Sequence, residues 1–142
     1  SKEPEKTNAR LRSYPKLEKL DDGSFNAVVS DDMCIQTLLG MRSHDAAHGV
    51  YTSAITALGK SAEQYGNLVS AMFAETEPQD AIEAMLISQM TATHVAVTTL
   101  TGRMTYNDAT AIRESLERSA TRLSRTYLAQ MDALKKYRAK AQ

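Results

Sequence analysis

The longest helical pattern of the chain reads NDATAIRESLERSATRLSRTYLAQMDALKKYRAK and runs from Asn107 to Lys140. It contains neither Gly nor Pro, the two residues that interrupt helices most often. Its apolar side chains recur every three or four residues and therefore share one helical face. The pattern predicts a single amphipathic helix that rises roughly 50 Å. The apolar residues are Ala109, Ile112, Leu116, Ala120, Leu123, Tyr127, Met131 and Leu134.

A helix of this length needs an equally long partner to cover its apolar face. Two of the helices predicted elsewhere in the chain are much shorter and would leave part of that face uncovered. Identical subunits most often pair around a two-fold axis. We therefore expect a homo-oligomer, most simply a dimer, with Tyr127, Met131 and Leu134 at its interface.

A second long helix is predicted to begin at Thr76 and to continue to Gly102. Thr76 is a good N-cap, Pro78 suits the first helical turn, and Gln79 completes a capping box with the threonine. The link from Gly102 to Asn107 is short, so the final helix must turn back along this one. The two helices are expected to form a long C-terminal antiparallel hairpin.

Three shorter helices are predicted before the hairpin. The first ends at Gly40 and has Cys34, Ile35, Leu38 and Leu39 on its core side, the second covers His44–Leu58, and the third runs from Ser61 to about Glu75. Each begins after a residue whose side chain can cap the first turn. The first two end at a Gly, which adopts the left-handed conformation at low cost. The fold class is therefore all-α, a four- to five-helix bundle. The capping and ending residues are Ser30 or Asp31 with Gly40, Ser43 with Gly59, and Ser61 with Gln64.

The first part of the chain lacks a helical period. Residues 1–24 mix basic and acidic side chains with Pro4, Pro15 and Gly23, a composition typical of segments without a packed core. We expect a flexible charged arm over 1–29 and a helical bundle domain over 30–142. An open alternative is a short linear motif that contacts a neighbour through apolar residues spaced by three. These are Leu11, Tyr14, Leu17 and Leu20.

Composition limits the class of protein. The chain has 142 residues, of which 42% are apolar, and a formal net charge of zero, as expected for one globular domain. No apolar run reaches the length of a membrane-spanning helix, and the first residues lack the basic-then-apolar order of a signal peptide. We expect a cytoplasmic protein without a membrane partner. The single cysteine, Cys34, excludes an intrachain disulfide, and its apolar neighbours predict a buried thiol.

Two stretches resemble a known group of proteins. They read EPQDAIEAMLISQMTATH over 77–94 and LSRTYLAQMDALKKYR over 123–138. Together they resemble a group of small, all-helical bacterial proteins of uncharacterised function, over roughly residues 76–140. The resemblance implies a helical fold and a bacterial or mobile-element origin. It implies no activity, cofactor or site residue.

The histidines offer the sharpest catalytic pattern in the chain. His44 and His48 are four residues apart, a spacing that lets two imidazoles reach one metal ion, and Asp45 stands where zinc peptidases carry a Glu. Asp is shorter than Glu, however, and the third histidine, His94, is far away in sequence. We therefore predict two solvent-facing histidines, a core histidine at His94, and no metal, cofactor or catalytic residue. A metal-dependent hydrolase is the remote alternative.

Charge is unevenly distributed along the chain. Residues 25–102 carry eight acidic and two basic side chains, whereas residues 103–142 carry nine basic and four acidic ones. Because the final helix is longer than its predicted neighbour, we expect the chain from Leu134 onward to project past that neighbour and to expose its cations. The candidate partner- or nucleic-acid-binding residues are Arg118, Arg122, Arg125, Lys135, Lys136, Tyr137, Arg138 and Lys140.

Two functions remain open at the level of sequence. The leading hypothesis is a non-enzymatic, helical protein–protein interaction or assembly module that uses the long hairpin. The alternative is a DNA- or RNA-binding accessory protein that uses the basic C-terminal helix to neutralise phosphates. The same cations could also serve only salt bridges within the assembly, since a helix C-terminus favours positive charge whatever its partner.

Overall fold

The computed structural model describes residues 10–29 and 34–141. Helices account for 73% of the described residues, and a small two-stranded sheet precedes them. The predicted mainly helical fold is confirmed, whereas the sheet was not predicted. The strands are β1 (Lys16–Lys19) and β2 (Phe25–Val28). The helices are α1 (Cys34–Leu39), α2 (His44–Thr56), α3 (Ala62–Thr76), α4 (Ala81–Thr105) and α5 (Thr110–Ala141), with a 3₁₀ turn over Gly59–Ser61.

The central element is α4. It packs against α2 and α3 and along α5, which runs back beside it in the opposite direction. The core between the helices is formed around Leu38, Val69, Phe73 and Ile87, all of which are almost fully buried. None of the helices in the described ranges combines the length and apolar character needed to cross a membrane.

Residues 16–28 form an antiparallel β-hairpin that lies against α3. The backbone N–H of Leu17 donates to Asn67 Oδ1 at 2.9 Å. The Leu17 side chain also lies directly over Gly66, where a Cβ would come within 2.4 Å of it. The expectation of an arm without regular structure is therefore wrong for this segment, because Leu17 packs against α3. Residues 1–9 lie outside the described residues.

The start of α4 differs from the prediction. Thr76 is the last residue of α3, and Glu77 follows in the left-handed conformation with φ 48°. The N-cap of α4 is Asp80, whose Oδ1 accepts a hydrogen bond from the N–H of Glu83 at 3.0 Å. The predicted cap at Thr76 is wrong, because the segment from Thr76 to Asp80 is a link between two helices.

Of the other predicted helix ends, two are confirmed and one is wrong. Ser43 caps α2, its hydroxyl accepting a first-turn N–H at 3.1 Å, and Gly40 follows α1 with φ +66°, so both predictions are confirmed. The capping box predicted at Ser61 is wrong, because this residue closes the 3₁₀ turn with a helical backbone and its side chain makes no capping hydrogen bond. Ser30 and Asp31 lie outside the described residues.

Candidate functional site

The long helix α5 has one face on α4 and one in solvent. Leu116 and Leu134 are its buried residues. Leu123 and Tyr127 lie between them on the same face and are half-buried. This period of three and four residues is the one that the sequence predicted, and it leaves the opposite face of the helix for other contacts.

Three arginines line the outer face of α5. Arg118, Arg122 and Arg125 follow one another at spacings of four and three residues, which places them in one row about 10 Å long. All three are exposed. Their guanidinium groups make no ion pair within residues 10–29 and 34–141.

Two apolar side chains continue this row. Leu128 is 59% exposed and Met131 is 39% exposed. Both lie on α5 within two turns of Arg125. Leu128 lies beside the arginine row, and Met131 flanks the buried face, three residues before Leu134. We term the set of Arg118, Arg122, Arg125, Leu128 and Met131 the outer patch. It combines positive charge with uncovered apolar area.

The cations at the end of α5 are placed differently. Arg138 Nε donates to Glu83 Oε1 at 2.6 Å, and a second nitrogen of the same guanidinium donates to the backbone oxygen of Thr76. Tyr137 donates its hydroxyl proton to Asp80 Oδ2 at 2.6 Å. These five residues, termed the junction cluster, join the end of α3, the start of α4 and the end of α5.

The junction cluster corrects the prediction for the chain end. Leu134 is only 8% exposed and belongs to the core, and Tyr137 and Arg138 bond to α4. The expectation that the chain projects from Leu134 onward is wrong, because α5 starts later than predicted and its last turns reach the first turn of α4. No second chain is needed to cover Leu134.

The hydrogen bond between Tyr137 and Asp80 affects both groups. It lowers the pKa of Asp80, with a smaller contribution from the N–H of Glu83. It raises the pKa of Tyr137, because the carboxylate holds the phenol proton. Near neutral pH the pair is therefore an ionised carboxylate and a neutral phenol.

The remaining candidate residues are exposed or partly covered. Lys136 forms an ion pair with Asp132 at 2.9 Å, one turn away on α5. Lys135 and Lys140 are exposed, and Tyr127 is half-buried. Partner binding by these side chains stays a prediction.

The histidines do not come together. His44 and His48 are exposed, with ring centroids 5.8 Å apart. His94 is also exposed, so the prediction of a core histidine is wrong. Within the part of the chain that the structure describes, no group of three His, Cys, Asp or Glu side chains is placed to hold a metal ion. The predicted burial of Cys34 is confirmed, and its Sγ donates to Ser13 O at 3.3 Å.

An apolar cavity of about 200 Å³ lies where α3, α4 and α5 meet. Sequence reasoning missed it, because such a gap depends on how three helices pack together. His94 is on its rim, which explains the exposure of that residue. The lining residues are Leu68, Met72, Thr76, Ile87, Met90, Thr91, His94 and Tyr127.

Comparison of the chain with known protein families, with curated proteins and with solved structures finds no match. The resemblance to small helical bacterial proteins therefore stays a prediction. The outer patch, the junction cluster and the cavity are the features of the protein that bear on its function.

Proposed function

We propose that this chain is a non-enzymatic helical module that binds an acidic, helical segment of a partner protein through the outer patch of α5. The observation that carries the proposal is the row of Arg118, Arg122 and Arg125. In the part of the chain that the structure describes, these exposed cations form no ion pair, whereas Arg138 and Lys136 each form one.

The geometry of the row suits carboxylates on a helix. A guanidinium group binds a carboxylate through two parallel hydrogen bonds. Carboxylates spaced by three and four residues on a partner helix lie in a row of the same pitch as Arg118, Arg122 and Arg125. A partner of this kind would therefore meet all three arginines at once.

The apolar part of the outer patch favours a protein over a nucleic acid. Burial of the Leu128 and Met131 side chains against apolar groups of a partner would stabilise a complex. An amphipathic helix presents such groups beside its acidic residues. A phosphate backbone does not, so the mixed character of the patch is best matched by a protein helix.

The proposal predicts a loss of peptide binding on removal of the row. The probe is a fluorescently labelled, synthetic amphipathic helix of Glu, Leu and Ala, compared with a shuffled peptide of the same composition. Changing Arg118, Arg122 and Arg125 to Gln should weaken binding about tenfold, since three pairs of about 0.5 kcal/mol each are lost. Fluorescence anisotropy measures the change. Equal binding of the ordered and shuffled peptides would contradict the proposal.

The matched control removes the same charge elsewhere on α5. Changing Lys135, Lys136 and Lys140 to Gln lowers the net charge equally but leaves the outer patch intact, and we expect less than about a threefold effect, because those contacts are screened. Equal losses of peptide affinity in both triple variants would indicate nonspecific electrostatic attraction.

Nucleic-acid binding is the second candidate, favoured by the number of exposed cations along one straight helix. A labelled duplex and a labelled single strand should then bind at about 50 mM salt and weaken steeply as salt increases. Leu128→Ala separates the two candidates, because it should weaken peptide binding and leave nucleic-acid binding unchanged. Arg138 is left intact in these variants because it holds Glu83.

We also propose that the chain self-associates and acts in the cytoplasm. Of the predicted interface residues Tyr127, Met131 and Leu134, Met131 is the exposed one, and it would pair across a two-fold axis. Light scattering at micromolar concentration tests self-association. A particle of 15.6 kDa, the mass of one chain, would contradict it.

A further inference from the structure

We propose that the cavity between α3, α4 and α5 binds a small, neutral and mainly apolar molecule that carries one hydrogen-bonding group. This inference is independent of the proposed function. None of the five outer-patch residues lines the cavity.

The size of the cavity limits the ligand. A dry apolar cavity of about 150 Å³ is sufficient for benzene. The cavity described here has about 200 Å³ and is smaller than the clefts of about 300 to 1,000 Å³ that hold drug-sized ligands. It therefore suits one ring, or a branched aliphatic group, with one or two further atoms.

The walls of the cavity are mostly apolar. Leu68, Met72, Ile87 and Met90 supply them from two helices. Methionine side chains adapt to ligand shape, and their sulfur atoms make favourable contacts with aromatic rings. An aromatic body is therefore the best match for this lining.

The two threonines of the lining already use their protons. Thr76 Oγ1 donates to the backbone oxygen of Met72 at 2.6 Å, and Thr91 Oγ1 donates to that of Ile87 at 2.9 Å. Both hydroxyls are thus engaged with their own helices. They contribute little to the recognition of a ligand that needs a donor.

The donors that remain are Tyr127 and His94. Tyr127 Oη makes no hydrogen bond within the described residues, which include all of its neighbours on α3 and α4. The His94 ring lies at the rim, where it is exposed to solvent. A single oxygen on the ligand could accept a hydrogen bond from Tyr127 or from His94.

The ligand should carry no charge. None of the eight lining residues is Lys, Arg, Asp or Glu. A charged group in such a site would lose its hydration without gaining an ion pair, which is strongly unfavourable. An aromatic alcohol, a phenol or a ketone fits these conditions, whereas a carboxylate does not.

Methionine methyl groups give a direct test in the full chain. The protein is labelled with ¹³C at the methionine methyls and titrated with benzyl alcohol, which has one ring and one hydroxyl. The signals of Met72 and Met90 should shift together and saturate with a Kd of about 1 mM, a reasonable value for so small a ligand. Those of Met41 and Met104, which do not line the cavity, should stay in place.

Two further probes examine the chemistry of the ligand. Benzoate, a charged ring of similar size, should bind at least about tenfold more weakly than benzyl alcohol. Toluene lacks the hydroxyl. Tyr127→Phe should weaken benzyl alcohol about fivefold and leave toluene unchanged, because only the alcohol loses a hydrogen bond. Tyr106→Phe, at an exposed tyrosine outside the cavity, is the control and should change neither.

Several results would overturn the proposal. These are the absence of any Met72 or Met90 shift up to the solubility of the probe, equal shifts of all methionine signals, and equal effects of Tyr127→Phe on both probes. Signals of Met72 and Met90 that depend on protein concentration without any probe would show that a side chain of a second copy fills the cavity, and would equally overturn it.

Discussion

The two ends of the α4–α5 hairpin are held in different ways. At one end, Tyr137 and Arg138 bond to Asp80, Glu83 and Thr76. At the other end the two helices are joined by the chain itself over residues 106–109. Side chains there are open to solvent, with Tyr106 91% exposed.

Side-chain hydrogen bonds are needed at the end of the hairpin that the chain itself does not close. The turn between α4 and α5 keeps their ends close without any further contact. The opposite ends are far apart in sequence and would fray if nothing joined them. The junction cluster also places acids at the N-terminus of α4 and a cation near the C-terminus of α5, where each helix dipole favours them.

The largest effect is expected where the link between α3 and α4 approaches the end of α1. Gly40 has φ +66°, and a Cβ there would come within 2.0 Å of the backbone oxygen of Pro78. Arg12 donates to the same oxygen at 2.7 Å, which holds the link from the other direction. Gly40→Ala should therefore lower the free energy of unfolding by about 3 kcal/mol or more, measured with urea.

Gly59 provides a matched control for this prediction. Its φ of +55° is similar, but no atom lies within 4 Å of the position of a Cβ. Gly59→Ala should cost about 1 kcal/mol from backbone strain alone. Equal losses at Gly40 and Gly59 would mean that the contact with Pro78 has no energetic role.

The second-largest effect is expected at the ion pair between Arg138 and Glu83. Glu83 is 2% exposed, so Arg138→Ala would leave its carboxylate buried without a partner. We expect a loss of about 2 to 3 kcal/mol in the free energy of unfolding. Lys136→Ala, which removes the exposed pair with Asp132, should cost about 0.5 kcal/mol or less.

A double variant shows whether the charge is the cause. Adding Glu83→Gln to Arg138→Ala removes the unpaired charge and should recover part of the lost stability. A double variant no more stable than Arg138→Ala would attribute the loss to packing of the arginine side chain.

The sequence was sufficient for the helices whose signals are local. The apolar period predicted which face of α5 would be buried, and the caps predicted the start of α2 and the end of α1. Two local sequence patterns could each mark the start of α4. Thr76 with Gln79 and Asp80 with Glu83 both match a capping box, and contacts from Arg138 and Tyr137, distant in sequence, favour the second.

The β-hairpin was missed although a signal was present. Residues 21–24 read DDGS, and Asp-Gly between two short runs with apolar residues is a hairpin signal. The mixed, charged composition of residues 1–24 hid this signal, because both strands are only four residues long and β1 reads KLEK. The sequence predicted the positive charges of the candidate site. It could not predict which cations remain unpaired or where the cavity forms, because both depend on the position of α5 against α4.

A smaller, pH-dependent effect is expected from the hydrogen bond between Tyr137 and Asp80. Tyr137→Phe should lower the Tm by a few degrees at pH 7. Because folding lowers the pKa of Asp80, its contribution to stability is complete above the ordinary pKa near 4 and is lost as pH falls through the folded-state pKa. The Tm difference between the parent protein and the variant should therefore shrink in acid.

Thermal unfolding followed by circular dichroism from about pH 7 to pH 2 measures this difference across the Asp80 titration. Tyr106→Phe, at the turn end, should leave the Tm unchanged throughout. A difference for Tyr137→Phe that persists at the lowest pH would show that the phenol acts by packing and not through the carboxylate.

The smallest effect is a gain in stability, expected at the turn end of the hairpin. Gly102 lies in the last turn of α4, and no atom lies within 4 Å of the position of a Cβ. Gly102→Ala should raise the free energy of unfolding by about 0.5 kcal/mol, because alanine loses less backbone entropy in a helix. It should also slow amide hydrogen exchange in residues 101–105 without changing exchange near Asp80. Gly49→Ala in α2, an equally open position, should give a similar gain in stability and leave exchange at the turn unchanged. If the amides of 101–105 in the parent protein already exchange as slowly as those near Asp80, the two ends are equally stable and the side-chain bonds of the junction cluster are not what holds the hairpin closed.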